Sequence, residues 1–206
     1  MSTDNVNMGA LKRLSNYKNV LYKLKALGFV KVFSDNLGDA IGVSAAQVRS
    51  DLSQFGLASG NKKGGYLVDE LLDKLKALLG KDGLQKVVIV GCGKMGSAII
   101  SYGGFSIEGI KVVAGFDTNP AVINPEARIP VYDLNNLGRI VKKEKVKVAI
   151  ITVPETAAAQ VYDVLQSAGI EGVLNFAPGQ LRSTETCRVH NINIALEIEH
   201  MFYLIK

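Results

Sequence analysis

The sequence predicts an α/β protein in which a small helical domain precedes a larger domain of alternating strands and helices. Apolar residues recur at helical spacing over residues 16–27, which predicts an amphipathic helix near the N-terminus. A strand-length apolar run, a glycine-rich turn and a helical pattern follow one another over residues 86–100, and apolar runs alternate with helical patterns after that. With 206 residues, 48% hydrophobic and 21% charged, the chain has the length and composition of one or two folded domains.

The composition excludes several classes of protein. The longest uncharged apolar runs are only strand-length, so we expect no membrane span. No secretory signal is recognisable, from which we expect a cytoplasmic protein. Two cysteines, Cys92 and Cys187, and two histidines are too few for a disulfide framework or a zinc site, so we expect no metal.

The excess of positive over negative charge is confined to the N-terminal third. Residues 1–66 hold nine lysines and arginines against four aspartates, whereas the remainder holds 15 basic and 15 acidic residues. A basic domain joined to a neutral one favours polyanion binding, because neutralised phosphates release counterions. A solvated lysine face would give the same count, so the pattern of elements must decide.

The elements of the basic segment indicate a helix-turn-helix. Gly28 ends the first helix, a short helix follows at residues 34–41 with Ser34 as its expected N-cap, and Gly42 turns the chain. Ser44 caps a further helix whose Gln47, Arg49, Ser50 and Gln54 can point outward, where glutamine and arginine suit base edges in a major groove. The glycine-rich segment after it resembles a wing, a small hairpin with Lys62 and Lys63 at its tip.

A helix over residues 67–79 leads to a domain boundary near residues 80–85, where the nucleotide-binding pattern begins. Gly91, Gly93 and Gly96 form G-x-G-x-x-G between a strand and a helix, and Asp117 ends the next strand, 21 residues beyond Gly96. This context is that of a Rossmann-type domain, in which the glycines approach the pyrophosphate and the acid binds the ribose. An acid at residue 117 with no arginine beside it favours NAD over NADP.

The α/β alternation continues to residue 176. We expect a helix at residues 134–143, a strand at 146–153, a helix at 155–168 and a strand at 172–176. Ligands bind outside the carboxyl ends of such strands, so the loops that follow them are expected to contact the cofactor. These motifs, with the loop positions between the glycines, give thirteen expected cofactor residues: Gly91, Cys92, Gly93, Lys94, Met95, Gly96, Asp117, Thr118, Thr152, Val153, Pro154, Asn175 and Phe176.

The chain ends in a short β-like run and a helix with Ile194, Ile198, Met201, Phe202 and Ile205 on one stripe. We expect another subunit to cover this stripe. Catalytic motifs are missing from the sequence, because no tyrosine is followed by lysine four residues later and no metalloprotease or P-loop motif occurs. The sequence therefore predicts a DNA-binding domain joined to a dinucleotide sensor, not an enzyme.

At this point a family resemblance becomes specific. The chain resembles the Rex family of redox-sensing transcriptional repressors along nearly its whole length, through RLSNYKNVLYKLKALG, VSAAQVRSDLSQFG, VVIVGCGKMGSAI, FDTNP, TVPE and GVLNFAPGQL in this order. The resemblance implies a winged-helix DNA-binding domain at residues 1–80, a Rossmann domain binding NADH or NAD⁺ at 81–193, and a swapped dimerisation helix at 194–206. It implies a homodimer on palindromic operator DNA that is released by NADH.

The resemblance also assigns residues. It implies that Tyr102 lies near the nicotinamide, and it implies a DNA-contacting set made up of Ser44, Gln47, Arg49, Ser50, Ser53, Gln54, Lys62 and Lys63. Ser50 and Gln54 depart from the family, which usually has a base and a tyrosine there. Asn19 and Asn193 stand where family members often have an arginine and an aspartate. Two amides cannot form the salt bridge that this charged pair forms in those family members.

Two other interpretations remain. One is a small oxidoreductase with an N-terminal docking domain, which the missing catalytic pair disfavours. The other is a winged-helix regulator of another nucleotide, such as CoA, because Asp117 favours a ribose but does not identify the far half of the ligand.

Overall fold

A computed structural model gives the fold and describes residues 8–57, 64–80 and 84–205. The chain divides into two compact units, Met1–Gly83 and Leu84–Lys206. Each unit has its own hydrophobic core, as independent domains do. Among the described residues, no helix combines the length and the apolar character needed to span a bilayer.

The first unit is helical, with a small sheet of two strands. Its core joins Leu14, Tyr17 and Leu21 of α1 to Val48 and Leu52 of α3, all fully buried. α1 begins before the predicted helix because Ala10 and Leu14 extend the same buried face toward the N-terminus. The elements are α1 (Met8–Ala26), β1 (Lys31–Val32), α2 (Ser34–Ile41), α3 (Ala45–Gln54), β2 (Tyr66–Leu67) and α4 (Val68–Leu78).

Helices α2 and α3 form the predicted helix-turn-helix. Gly42 follows α2 with a φ of 73°, a left-handed conformation that ends the helix and turns the chain. The hydroxyl of Ser44 caps α3 by accepting a hydrogen bond from the N–H of Gln47 at 3.2 Å. The cap expected at Ser34 is wrong: Ser34 is the first residue of α2, and the N–H of the preceding Phe33 donates to Asn36 Oδ1 at 3.1 Å.

The wing segment returns to the helical unit through β2. This strand pairs antiparallel with β1, with Tyr66 opposite Val32. Since β1 lies between α1 and α2, the pairing ties the end of the wing to the entry of the helix-turn-helix. The expected wing tip, with Lys62 and Lys63, lies outside the described residues.

The second unit is built on a parallel sheet of six strands in the order β5-β4-β3-β6-β7-β8. The chain winds outward from β3 in one direction and from β6 in the other, which is the Rossmann order, and the reversal leaves a crevice between β3 and β6. The predicted α/β fold is confirmed. The strands are β3 (Gln85–Val90), β4 (Ile110–Asp117), β5 (Val131–Asp133), β6 (Val148–Ile151), β7 (Gly172–Asn175) and β8 (Arg188–Asn191).

Helices pack on both faces of this sheet, which explains why its central strands are apolar throughout. On one face, Leu137 and Val161 of α7 and α8 pack on Val88. On the other, Ile99 and Phe105 of α5 and α6 pack near Ile89. The helices are α5 (Lys94–Ile100), α6 (Gly104–Ile107), α7 (Leu137–Glu144), preceded by a 3₁₀ turn, and α8 (Glu155–Ser167).

The last helix, α9 (Ile194–Leu204), has no buried residue. Met201 and Phe202 are 57% and 63% exposed. Asn193 caps the helix, since its Oδ1 accepts from the N–H of Ala195 at 3.0 Å and of Leu196 at 3.3 Å. The apolar stripe expected from the sequence is therefore present and uncovered within the described part of the chain.

Candidate nucleic-acid interface and nucleotide cleft

One face of α3 is polar and exposed. Arg49, Ser50, Ser53 and Gln54 are all exposed and recur at three- and four-residue spacing, so they share this face. The Arg49 guanidinium donates to the hydroxyl of Ser34 at 2.9 Å, which holds it toward the start of α2. A helix with such a face can contact base edges and phosphates when it enters a major groove.

The opposite side of α3 carries a buried charge. Asp51 is 1% exposed and receives two hydrogen bonds from Arg13 of α1, Nε to Oδ2 and Nη2 to Oδ1, each at 2.7 Å. The Tyr17 hydroxyl donates to Oδ2 at 2.9 Å, and the Gln47 amide nitrogen donates to Oδ1 at 2.8 Å. Arg13 holds the pKa of Asp51 below its usual value, so the carboxyl is ionised at neutral pH. This network fixes α3 against α1.

Sequence reasoning singled out Gln47 but not its partner Asp51, nor Arg13 and Tyr17, which bond Asp51 from α1. Gln47 is half-buried, and its side chain is shared between the Asp51 carboxylate and the exposed face. The only sequence signal was the i, i+4 spacing of Gln47 and Asp51 on one helix. Arg13 is 38 residues from Asp51 along the chain, a separation that no local pattern reveals.

The glycine-rich loop between β3 and α5 needs glycine for two different reasons. Gly91 has a φ of 92°, and a Cβ there would lie 2.8 Å from the backbone of Thr152. A Cβ on Gly96 would overlap the carbonyl oxygen of Gly91, so α5 could not approach β3. Gly93, by contrast, has open space on its Cβ side, which leaves the loop backbone accessible to a phosphate group.

Thr152 and Asp117 brace this loop from the ends of β6 and β4, the two strands that flank β3. The Thr152 hydroxyl donates to the carbonyl of Gly91 at 2.5 Å. The carboxylate of Asp117 accepts from the N–H of Cys92 at 2.6 Å and from the N–H of Asn119 at 2.8 Å. The carboxylate oxygens keep acceptor capacity beyond these two bonds. The acid at the end of β4 thus both orders the loop and faces the cleft.

A cleft of about 560 Å³ opens at the carboxyl ends of β3, β4, β6 and β7, where the winding of the sheet reverses. Its walls hold nine of the expected cofactor residues: Gly91, Gly93, Met95, Asp117, Thr118, Thr152, Val153, Pro154 and Phe176. An open glycine loop, a carboxylate and an apolar wall fit the pyrophosphate, the ribose and the ring systems of a dinucleotide.

The cleft also has walls that sequence reasoning missed. Ala157, Gln160 and Val161 line it from the first turns of α8, and Leu134 closes it from the start of the 3₁₀ turn. The three positions on α8 share one face of that helix, so the signal was present in the helical spacing. It could not be assigned to the cleft without knowing that α8 packs over the end of β6.

Five expected cofactor residues do not line the cleft. Lys94 is exposed at the start of α5, Gly96 is buried against Gly91, and Asn175 is fully buried. The Asn175 side chain donates to the carbonyl of Gly179 at 2.8 Å and to Asn191 Oδ1 at 2.9 Å, so it orders the loop after β7.

The other two are Tyr102 and Cys92. Tyr102 is 62% exposed and packs edge-on against Phe105, with ring centroids 5.2 Å apart, beside a second cavity of about 690 Å³ that the end of α5, α6 and the start of β4 line. Cys92 is buried, and its thiol lies 3.6 Å from the carbonyl of Phe116. Burial and the nearby charge of Asp117 raise the pKa of Cys92 to about 11, so the thiol is protonated at neutral pH.

Asn19 and Asn193 occupy different kinds of environment. The Asn19 side-chain oxygen on α1 is buried and has no hydrogen-bond partner. The side chain of Asn193 is the N-cap of α9. The Asn193 amide is therefore satisfied within its own helix, whereas the Asn19 oxygen is a buried acceptor that the described residues leave without a donor.

Comparisons with known proteins agree with this geometry. A family model described as "Putative DNA-binding protein N-terminus" matches residues 5–53, and one described as "CoA binding domain" matches residues 82–179. The redox-sensing transcriptional repressor Rex of Bacillus licheniformis is 37% identical over 207 residues, covering 100% of this chain and 96% of that protein. The chain belongs to the Rex family. Rex of Clostridium botulinum is 36% identical, covering 97% of this chain and 95% of its own.

Solved structures of a Rex-family repressor, RSP, share the fold of this chain. The RSP complex with β-NAD⁺ and operator DNA matches with a TM-score of 0.88 at 28% identity, covering 98% of this chain and 94% of that one. The RSP complex with β-NADH matches with a TM-score of 0.82 at 29% identity, covering 97% of this chain and 94% of that one. The predicted membership of the Rex family is confirmed, and since Rex proteins are transcriptional repressors, the oxidoreductase interpretation is wrong.

Proposed function

We propose that this Rex protein occupies palindromic operator DNA as a homodimer and leaves it when NADH binds in the cleft of the second unit. The observation that carries the proposal is the pairing, in one chain, of a helix-turn-helix with an open glycine-loop cleft, in a full-length relative of Rex repressors. RSP, of the same family, has been solved with operator DNA and β-NAD⁺ and with β-NADH. A repressor of this kind acts in the cytoplasm, where the operator is.

Toward DNA, we assign α3 to the major groove and the wing to the backbone. The exposed face of α3 supports this role, and Ser44 supports it by fixing where the helix begins. The assigned residues are Ser44, Gln47, Arg49, Ser50, Ser53, Gln54, Lys62 and Lys63.

Toward the dinucleotide, we assign the loop amides near Gly93 to the pyrophosphate and Asp117 to the ribose hydroxyls. Thr152 positions the loop through its bond to Gly91. When bound, the dinucleotide supplies the redox signal through its nicotinamide, which the apolar cleft wall excludes from water. We assign Tyr102 to the nicotinamide of the assembled dimer, and Cys92, Lys94, Gly96 and Asn175 to shaping the loops.

The exposed stripe of α9 supports a dimer in which this helix, at residues 194–206, packs on the partner subunit. The domains would then be the DNA-binding part at 1–80, the Rossmann part at 81–193 and the swapped helix. Coupling between the cleft and the DNA need not be large, because each 1.4 kcal/mol changes DNA affinity about tenfold.

The test is operator binding at one fixed salt concentration without ligand, with NAD⁺ and with NADH, because DNA affinity depends steeply on salt. Release by NADH alone supports the proposal. DNA binding that NADH leaves unchanged would mean that sensing has been lost, and restoring charges with Asn19→Arg and Asn193→Asp would be the next step.

A different nucleotide is the second candidate, because the model matched over residues 82–179 is named for CoA binding. A carboxylate at the ribose position disfavours ligands that carry a phosphate there. Calorimetry with NADH, NAD⁺, NADPH and CoA ranks the ligands. Tighter binding of CoA than of NADH would favour this second candidate.

A further inference from the structure

The carboxylate of Asp51 has all its hydrogen-bonding positions in use. An ionised carboxylate offers about four lone-pair positions. Arg13 fills two of them, Tyr17 fills a third and Gln47 fills the fourth. Asp51 is 1% exposed, so no water competes for these positions. The contact with Gln47 is thus part of a closed network and not an incidental surface bond.

This network decides which way the Gln47 amide points. The two ends of a glutamine amide have similar shapes but opposite hydrogen-bonding roles, and only the nitrogen can donate. The ionised carboxylate of Asp51 has no proton to donate, so it can only accept a hydrogen bond from Gln47, as it does from Arg13 and Tyr17. The nitrogen must therefore face Asp51, and the carbonyl oxygen Oε1 together with one N–H is left for the exposed side.

We propose that Asp51 is a positioning residue for base recognition, which holds Gln47 in the orientation that pairs with adenine and excludes the orientation that pairs with guanine. This inference rests on the proposed function, in which α3 enters the major groove.

The chemistry of the base edges supplies the preference. Adenine presents a donor at N6 and an acceptor at N7, which match the glutamine oxygen and its remaining N–H. Guanine presents acceptors at both O6 and N7, so the fixed oxygen of Gln47 would face another acceptor. A flipped amide would suit guanine, but it would turn its oxygen toward the Asp51 carboxylate. Asp51 thus gives the Gln47 side chain, which could otherwise pair with either purine, a preference for adenine.

The experiment selects binding sites for the full-length protein from a randomised duplex library and measures the relative affinity for each base at each position. We expect adenine to be preferred over guanine about tenfold at one position of each half-site. Gln47→Ala should remove this preference. Asp51→Asn, whose amide can donate or accept, should reduce the ratio at least fivefold at that position only. Asp39→Asn, the same charge change on an exposed residue of α2, is the matched control.

The ratio at one position separates positioning from stability, since a variant that only loosened the fold would bind all sequences more weakly. If Asp51→Asn does not fold, side-chain amide NMR of the wild type gives the answer. One Gln47 amide proton should exchange with solvent at least tenfold more slowly than those of the exposed Gln54, with and without DNA.

Three results would overturn the inference. One is a wild-type profile with no adenine preference that depends on Gln47, and another is an Asp51→Asn profile identical to that of the wild type. The third is Gln47 amide protons that exchange as fast as those of Gln54. If the wild type selects no site at all, the proposed function fails too, which distinguishes that case from a failure of the inference alone.

Discussion

The backbone N–H of Cys92 donates to Asp117 Oδ2 at 2.6 Å, which joins the glycine-rich loop to the end of the neighbouring strand. The residue assigned to the ribose is therefore also part of the support for the residues assigned to the pyrophosphate. Because both carboxylate oxygens accept backbone bonds, the charge of Asp117 is held in place before any ligand arrives.

Replacing Asp117 should weaken the binding of NADH strongly. Asp117→Ala removes both the acceptors for the ribose and the brace of the loop, and hydrogen bonds to a charged group contribute about 1.5–3 kcal/mol each. We expect at least a tenfold loss of affinity by calorimetry. The control is Asp133→Ala, which removes the neighbouring aspartate in the sheet, whose Oδ1 makes the same kind of turn with Asn135. Equal losses in the two variants would contradict the assignment.

Alanine substitutions at two glycines of the loop should have different effects, one on the stability of the fold and the other on the affinity for NADH. Gly96→Ala places a methyl group against Gly91 and should lower the free energy of unfolding by about 1–3 kcal/mol. Gly93→Ala meets nothing in the ligand-free protein, so the melting temperature should not fall, whereas NADH should bind more weakly because the methyl group stands where a phosphate would approach. Thermal unfolding and calorimetry on both variants check this. If the Gly93→Ala protein binds NADH as tightly as the wild type, the assignment of the pyrophosphate to this loop is wrong.

Cys92 should not act as a thiol sensor. Its burial and a pKa raised to about 11 keep it protonated, and burial also raises the pKa of Cys187. We expect almost no reaction of the native protein with a disulfide reagent at pH 8, and two thiols per chain after denaturation. The stability that a neutral Cys92 contributes is present below about pH 9 and is lost as the pH rises through 11. Rapid labelling of Cys92 in the native protein would contradict this prediction and favour a response of this thiol to peroxide.

The pairing of Arg13 with Asp51 should govern the acid stability of the first unit. Because Arg13 lowers the pKa of Asp51, the carboxylate contributes stability above its unfolded pKa of about 3.9, and this is lost as the pH falls through the lower folded value. Arg13→Ala leaves a buried charge and should reduce the free energy of unfolding by about 3 kcal/mol at pH 7. It should also move acid unfolding to higher pH.

Urea unfolding between pH 3 and pH 7 measures both effects. Lys25→Ala is the control, because it breaks an ion pair with Asp69 whose two side chains are exposed, and it should leave the unfolding curve unchanged. An Arg13→Ala protein as stable as the control would show that water replaces the guanidinium.

The predictable part of the structure was the part set by local patterns. Helical spacing located α3 and α4 within one or two residues, and the glycines of the loop with Asp117 identified the cleft. What escaped were contacts between distant residues. Strand β1 is two residues long and exists through its pairing with β2. Asn175 was expected to bind the cofactor because it ends a strand, but its side chain bonds Gly179 in the following loop and Asn191 at the end of β8, contacts that no local pattern reveals.

In the proposed dimer, where α9 packs on the partner subunit, the stability of the protein depends on its own concentration. Where a fold leaves an apolar helix uncovered until a second chain arrives, association and folding are linked by mass action. Dilution should then lower the melting temperature, and a cell that makes little of this protein would hold a larger fraction of unassembled chains. Its expression level would set the amount of active repressor more steeply than in direct proportion.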